Sequence, residues 1–193
     1  MHFRATLLSL SLLLAALPAA SQQVPVSASV PLASPTGSGV RNLAFGAITP
    51  MAGQTVQVDV PAAPLPVSGS VHAGEFRYDV TSARGLDFTL TVPAALTGPG
   101  LVSLPVTFAG TQYGAFCVTE GGSACALTAF DPSDPSAVRV CYRTIGGGSC
   151  HPNRVFPVGS ELAVYVGGLL SVPQNARAGD YSATITLTIV QVY

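Results

Sequence analysis

The sequence predicts an all-β fold, an antiparallel sandwich or barrel built from many short strands. Three observations predict it. Sixteen prolines and twenty glycines are spread along the chain and divide it into short segments, a spacing that suits strands and turns. No apolar stripe of helical period follows the first 21 residues. Residues 180–189 alternate instead: Tyr181, Ala183, Ile185, Leu187 and Ile189 fall on one side, and Ser182, Thr184, Thr186 and Thr188 on the other. That period of two marks a half-buried strand, because successive side chains point to opposite faces of a sheet.

Residues 1–21 read as an export signal. Arg4 gives the positive start, residues 5–16 the apolar run, and Ala19-Ala20-Ser21 the small-residue cleavage site. Cleavage is expected after Ser21, with Ala20 as the neighbouring alternative. The apolar run is short for a bilayer, and no later stretch reaches the ~18 uninterrupted apolar residues that a crossing helix needs. The expected product is exported, with no membrane span after signal cleavage, and passes through the periplasm to the cell surface or beyond.

Charge is sparse, at 9% of residues and a net charge of −1. Without Arg4 the balance is seven Arg against nine Asp plus Glu, with no lysine. The arginines are scattered along the sequence, which argues against nucleic-acid binding, since that requires a basic cluster. A surface rich in Thr, Val and Gly suits contact with neighbouring subunits or with a cell surface.

Residues 22–40 form an N-terminal extension. Within residues 24–32, Val24, Val26, Ala28, Val30 and Leu32 share one side. Pro25 and Pro31 occupy the other, where an edge strand tolerates them and a central strand does not. Residues 34–39, Ser-Pro-Thr-Gly-Ser-Gly, read as a flexible link. The domain is expected to occupy residues 41–193. Its first strand lies at residues 41–48, with Leu43, Phe45 and Ala47 toward the core. A turn at residues 49–53 leads to residues 55–60, where Val56, Val58 and Val60 point inward. After a proline-rich stretch at residues 61–66, strands are predicted at residues 74–80, 86–92 and 101–108.

Residues 109–157 read as an insertion decorating the sandwich, with short strands near residues 115–118 and 137–142. All four cysteines lie here, and in an exported chain they imply two disulfides. Cys117–Cys125 and Cys141–Cys150 are the favoured pairs, because each brackets a glycine-rich stretch. A zinc site with His151 is the alternative, although the spacing lacks the short Cys-x-x-Cys separation of such sites. Asp131 and Asp134 read as turn formers, and His72 as a loop residue. Ser149-Cys150-His151 places a nucleophile beside a base, but neighbours in a strand point apart. No nucleophile elbow or phosphate-cradling loop is present. The sequence predicts no enzyme, no cofactor and no metal.

The end of the chain reads as a glycine-marked hairpin. A strand at residues 161–166 runs into Gly167-Gly168, a proline turn follows at residues 173–179, and the alternating strand closes the domain. Val190, Val192 and Tyr193 fall out of phase with it, as a bulge would require.

Asn42-Leu-Ala-Phe-Gly46-Ala-Ile-Thr-Pro50, Val166-Gly-Gly-Leu-Leu-Ser-Val-Pro173 and Ala178-Gly-Asp-Tyr-Ser-Ala-Thr-Ile-Thr-Leu-Thr-Ile189 together resemble the DUF4402 family of exported bacterial β-sandwiches. That family is similar to the spore-coat-U and chaperone–usher pilin domains. The likeness covers residues 42–92 and 161–193, with the Cys-bearing middle unmatched. It implies an immunoglobulin-like sandwich and a structural subunit of a fimbria, pilus or coat. Such subunits self-associate into a fibre by donor-strand exchange, in which an N-terminal extension fills a groove in the next subunit. Residues 24–32 would be the donor. Tyr181, Ala183, Ile185, Leu187 and Ile189 would line the groove. Tyr193 would be the terminal aromatic of the strand that a periplasmic chaperone grips before an outer-membrane usher receives the subunit. Two alternatives remain at this stage. Residues 24–32 either enter a neighbour or fold back as an edge strand of their own domain, and the protein is either such a subunit or a self-contained exported binding and adhesion module.

Overall fold

A computed structural model describes residues 24–27, 37–48, 54–61, 70–120 and 123–193. The signal at residues 1–21, the link residues 34–36, the turn at residues 49–53, most of the proline-rich stretch and Gly121-Gly122 lie outside them. The described chain is all β, with three short 3-10 turns and no longer helix. Its strands are β1 (Val24–Ser27), β2 (Gly37–Arg41), β3 (Ala44–Ile48), β4 (Gln54–Val58), β5 (Val71–His72), β6 (Gly74–Asp79), β7 (Gly85–Thr91) and β8 (Ala95–Thr97). They continue as β9 (Ser103–Thr107), β10 (Gly114–Thr119), β11 (Thr128–Ala129), β12 (Val138–Cys141), β13 (Glu161–Val166), β14 (Gly168–Val172) and β15 (Thr186–Val192).

All of the strand pairings are antiparallel. The largest sheet has the order β11-β10-β13-β6-β2. Two others, β12-β7-β15 and β4-β14-β9-β8, are tied by reciprocal backbone bonds between Thr97 and Ser182 at 2.9 and 3.0 Å. Phe88 of β7 meets Phe116 of β10 edge to face, with ring centroids 5.7 Å apart, so these layers pack against each other. Phe76, Leu86, Leu104, Leu162, Val164 and Leu170 fill the same buried core. The architecture is a β-sandwich of immunoglobulin-like type.

Local sequence explains the strands. β9 alternates out and in, with Leu104 and Val106 buried, as a strand with one wet face must. β13 is buried almost throughout, because both of its faces are covered. Leu162, Val164 and Val166 face the main core, while Ala163 and Tyr165 pack with Cys117, Cys125 and Leu127 in a second cluster. The loop closed by Cys117 and Cys125 therefore covers the outer face of this central strand.

Several expectations change. The closing hairpin is not one: β13 and β14 belong to different sheets, and the chain crosses between layers at Gly167. A Cβ on Gly167 would lie 2.0 Å from the Val58 carbonyl oxygen, so only glycine lets the two backbones approach this closely. In the first domain strand Leu43 and Phe45 are buried as expected, but Ala47 is exposed and Ile48 is buried in its place. Gly46, at φ +78°, takes the left-handed conformation that shifts the alternation by one residue. The link ends earlier than its composition suggests, since Gly37–Arg41 forms β2 against β6. Residues 109–157 are woven into the sandwich instead of laid on it. β10 pairs with β13 over all six residues, and β12 pairs with β7. Their contacts are long-range, which a reading of local pattern does not supply.

Candidate functional site

The N-terminal strand lies on its own chain. Val24, Pro25 and Val26 of β1 face Ile48, Ala47 and Gly46 of β3, with a register shift at Val26/Ser27. The sheet order is β1-β3-β5, so β1 is an edge, the position that Pro25 requires. Of the candidate donor residues, Val24 and Val26 are in β1, and Ala28, Val30 and Leu32 lie outside the described residues. The fold-back arrangement is thus the one observed within a single chain.

The closing strand packs as its alternation requires. Tyr181, Ile185 and Leu187 are buried, and Ala183 and Ile189 are half-buried against the same core. Regular pairing begins only at Thr186, along β7, with a register shift between Ile189 and Gln191, which puts Val190 and Val192 in solvent. Upstream, the Tyr181 hydroxyl donates to the Arg177 carbonyl at 2.9 Å and accepts from the Arg177 amide at 3.1 Å. This back-reach at the start of a strand is the tyrosine corner of sandwich folds. Gly98 lies under the ring, where a Cβ would come 2.3 Å from it.

Tyr193 is anchored at both backbone and side chain. Its amide donates to Gly85 O at 2.9 Å, and its carbonyl accepts from Arg84 N at 2.9 Å. Its hydroxyl donates to Asp87 Oδ2 at 2.6 Å and accepts from Arg139 Nη2 at 2.9 Å. Arg139 also forks onto both Asp87 oxygens at 3.0 Å. The guanidinium, and secondarily the phenol, hold the buried Asp87 carboxyl below the usual carboxylate range. The same carboxylate raises the Tyr193 phenol.

A second buried carboxylate, Glu75, pins the domain entrance. Arg41 Nη2 is 2.5 Å from its Oε2, Arg77 Nε is 2.9 Å from its Oε1, and Arg77 also reaches Glu161 at 2.9 Å. This chain of charges crosses β2, β6 and β13, so Arg41 clamps the point where the extension enters the sandwich. Burial raises the Tyr165 phenol beside it.

The disulfides are Cys117–Cys125 and Cys141–Cys150, the pairs that bracket the glycines. Cys150 is therefore oxidised, and His151 Nδ1 accepts from the Asn153 amide at 3.2 Å. Asp131 caps its own turn, accepting from Ser133 N at 2.9 Å and from Gly110 N at 3.0 Å; Asp134 accepts from Ser136 N at 2.8 Å. His72 is not in a loop but in β5, opposite Ala44. Among the described residues no group of three or more His, Cys, Asp or Glu is arranged to hold a metal ion.

Arginines scattered in sequence gather in space. Arg84, Arg139 and Arg154 lie around the loop closed by Cys141 and Cys150, which itself carries Arg143. One cleft of about 480 Å3 is lined by Tyr142, Arg143, Thr144, His151 and Arg154. Another of about 260 Å3 is lined by Arg84, Arg139, Ser149, Cys150, Pro152 and Tyr193. Sequence reading missed this patch because Arg84 arrives from the turn before β7, far from the other three. The only hint was the local density of arginine at positions 139, 143 and 154.

No curated protein and no solved structure matches the chain. A family model described as a domain of unknown function, DUF4402, matches residues 36–191. The match runs through the Cys-bearing middle, which the sequence resemblance had left out, in keeping with β10 as an interior strand. The chain belongs to the DUF4402 family.

Proposed function

We propose that this protein is an exported structural subunit of a surface fimbria, pilus or coat, and that copies join by exchange of the N-terminal strand. The observation that carries the reading is the place of β1, a four-residue edge strand whose one partner among the described residues is β3, joined to the domain through residues 28–36. Four residues of edge pairing give a few backbone bonds worth about 1 kcal/mol each, while ordering the same residues costs about 1–2 kcal/mol apiece. The strand is held weakly enough to leave, and Arg41 on Glu75 keeps the domain entrance in place when it does. A second copy offers the same β3 edge, so exchange replaces each contact with its equal. Concentration then decides between the closed monomer and an open-ended chain of copies. Two disulfides suit an oxidising, extracytoplasmic setting, where a periplasmic chaperone would grip the closing strand that ends at Tyr193 and an outer-membrane usher would receive the subunit.

Pro25→Cys with Ala47→Cys tests the reading, since the two positions face each other in β1 and β3. Oxidised at high protein concentration or on cells, the pair is expected to give covalent ladders on a non-reducing gel, and at high dilution a cross-linked monomer. Cross-linked monomer alone at every concentration rejects strand exchange in favour of a self-contained exported binding module. Deletion of residues 22–34 is expected to leave a folded domain that no longer assembles.

A further inference from the structure

We propose that the loop closed by Cys141 and Cys150, with the turn that follows it, is a binding site for an anionic polysaccharide bearing uronate carboxylates. The site stands apart from strand exchange, and the fate of β1 does not alter it. The argument starts from charge. The chain has seven arginines beyond Arg4 and no lysine. Arg41, Arg77 and Arg139 are engaged by Glu75, Glu161 and Asp87. None of the other four makes an ion pair among the described residues; Arg177 lies beside Gly100, away from the rest, and the remaining three, Arg84, Arg143 and Arg154, are exposed. These three arginines all line, or lie beside, the two clefts that flank the Cys150-His151-Pro152 ridge. No Asp or Glu side chain lines either cleft.

The donors are also held in position. The disulfide is supported by the backbone bonds Ile145 N to Ser149 O at 2.9 Å and His151 N to Arg143 O at 2.8 Å. The Arg143 guanidinium lies over the Tyr142 ring at 4.7 Å, and Tyr142 packs in turn on the buried Phe156. His151 accepts at Nδ1 from Asn153, so its neutral ring carries the proton on Nε2 and is a donor within the larger cleft. Guanidinium forks match planar carboxylates in a bidentate fashion, and donors already held in place lower the ordering cost of binding. Two adjacent clefts with cations on each side suit a ligand whose anions repeat along a chain. A cleft of about 480 Å3 takes a sugar-sized unit.

The test uses protein made from the full chain by export and measures binding to oligogalacturonate, with dextran as the neutral glycan and a duplex DNA as the other polyanion. Oligogalacturonate is expected to bind in a salt-dependent manner, and dextran not at all. Arg143→Gln with Arg154→Gln is expected to weaken binding at least tenfold while leaving the thermal midpoint unchanged. Should that variant unfold, Arg84→Gln supplies the same comparison at the smaller cleft. The proposal is overturned if oligogalacturonate fails to bind at millimolar concentration, if dextran binds equally, or if the arginine variants bind as well as the parent. DNA binding as tight as oligogalacturonate binding also overturns it, because that marks a general polyanion surface.

Discussion

Tyr193 and Asp87, separated by 106 residues, share a hydrogen bond of 2.6 Å in which the phenol donates to the carboxylate. Asp87 is only 8% exposed, and a buried carboxylate is costly unless it is paired and hydrogen-bonded. Arg139 from β12 supplies the charge and Tyr193 the further bond, so two distant stretches of chain close around one side chain on β7.

This arrangement sets a pH dependence. The folded chain keeps Asp87 ionised at pH values where the unfolded chain protonates it, because its carboxyl is held below the ordinary value. Its contribution is fully present above the unfolded value of ~3.9 and is lost as pH falls through the lower folded value. Unfolding midpoints in urea should therefore drop on acidification below about pH 4. Asp87→Asn should flatten that decline, and Asp79, Asp131 and Asp134, also lowered, should account for what remains. An equally steep acid limb in the variant would remove Asp87 from this role.

Tyr181→Phe keeps the buried ring and removes both bonds to Arg177. An amide and a carbonyl lose their partner at a part-buried corner, so stability should fall by about 0.5–1.5 kcal/mol. Chemical denaturation measures it, and a change below ~0.5 kcal/mol, the size of an ordinary surface effect, would show that the corner is held by packing alone.

Gly167→Ala should be among the most damaging single-methyl additions, at about 2–3 kcal/mol or more. The new Cβ meets backbone, the Val58 carbonyl oxygen, which cannot rotate away. Gly146→Ala is the matched control, because nothing lies within 4 Å of its Cβ and its φ is not positive. Equal stability of the two variants would mean that the sheet crossing shifts without strain.

Replacing Cys141 and Cys150 together with Ser opens a loop of sequence separation 9. The loop-entropy account gives a loss of about 2.5–3 kcal/mol. Differential scanning calorimetry under non-reducing conditions reads it, and an unchanged midpoint would show that β12 on β7 holds the loop unaided.

Much of this molecule was legible in its residues alone. Turn-forming Gly and Pro announced short strands, and the alternation from Tyr181 to Ile189 identified a half-buried closing strand and the bulge after it. The glycines inside each cysteine pair pointed to the disulfide partners. These are local signals, carried by neighbours a few positions apart, and local geometry is what period and turn chemistry encode. Tertiary structure decided the rest, because the remaining facts concern residues that meet only when layers stack. Gly167 looked like the tip of a hairpin until Val58 came to lie against it, and residues 114–119 looked like decoration until β13 claimed them as a partner. Arg84 looked like one isolated charge among several. Only the packing of β12 on β7 sets it beside the Cys141–Cys150 loop, since the energy of burying Phe88, Leu86 and Val140 selects that register regardless of where the arginines fall.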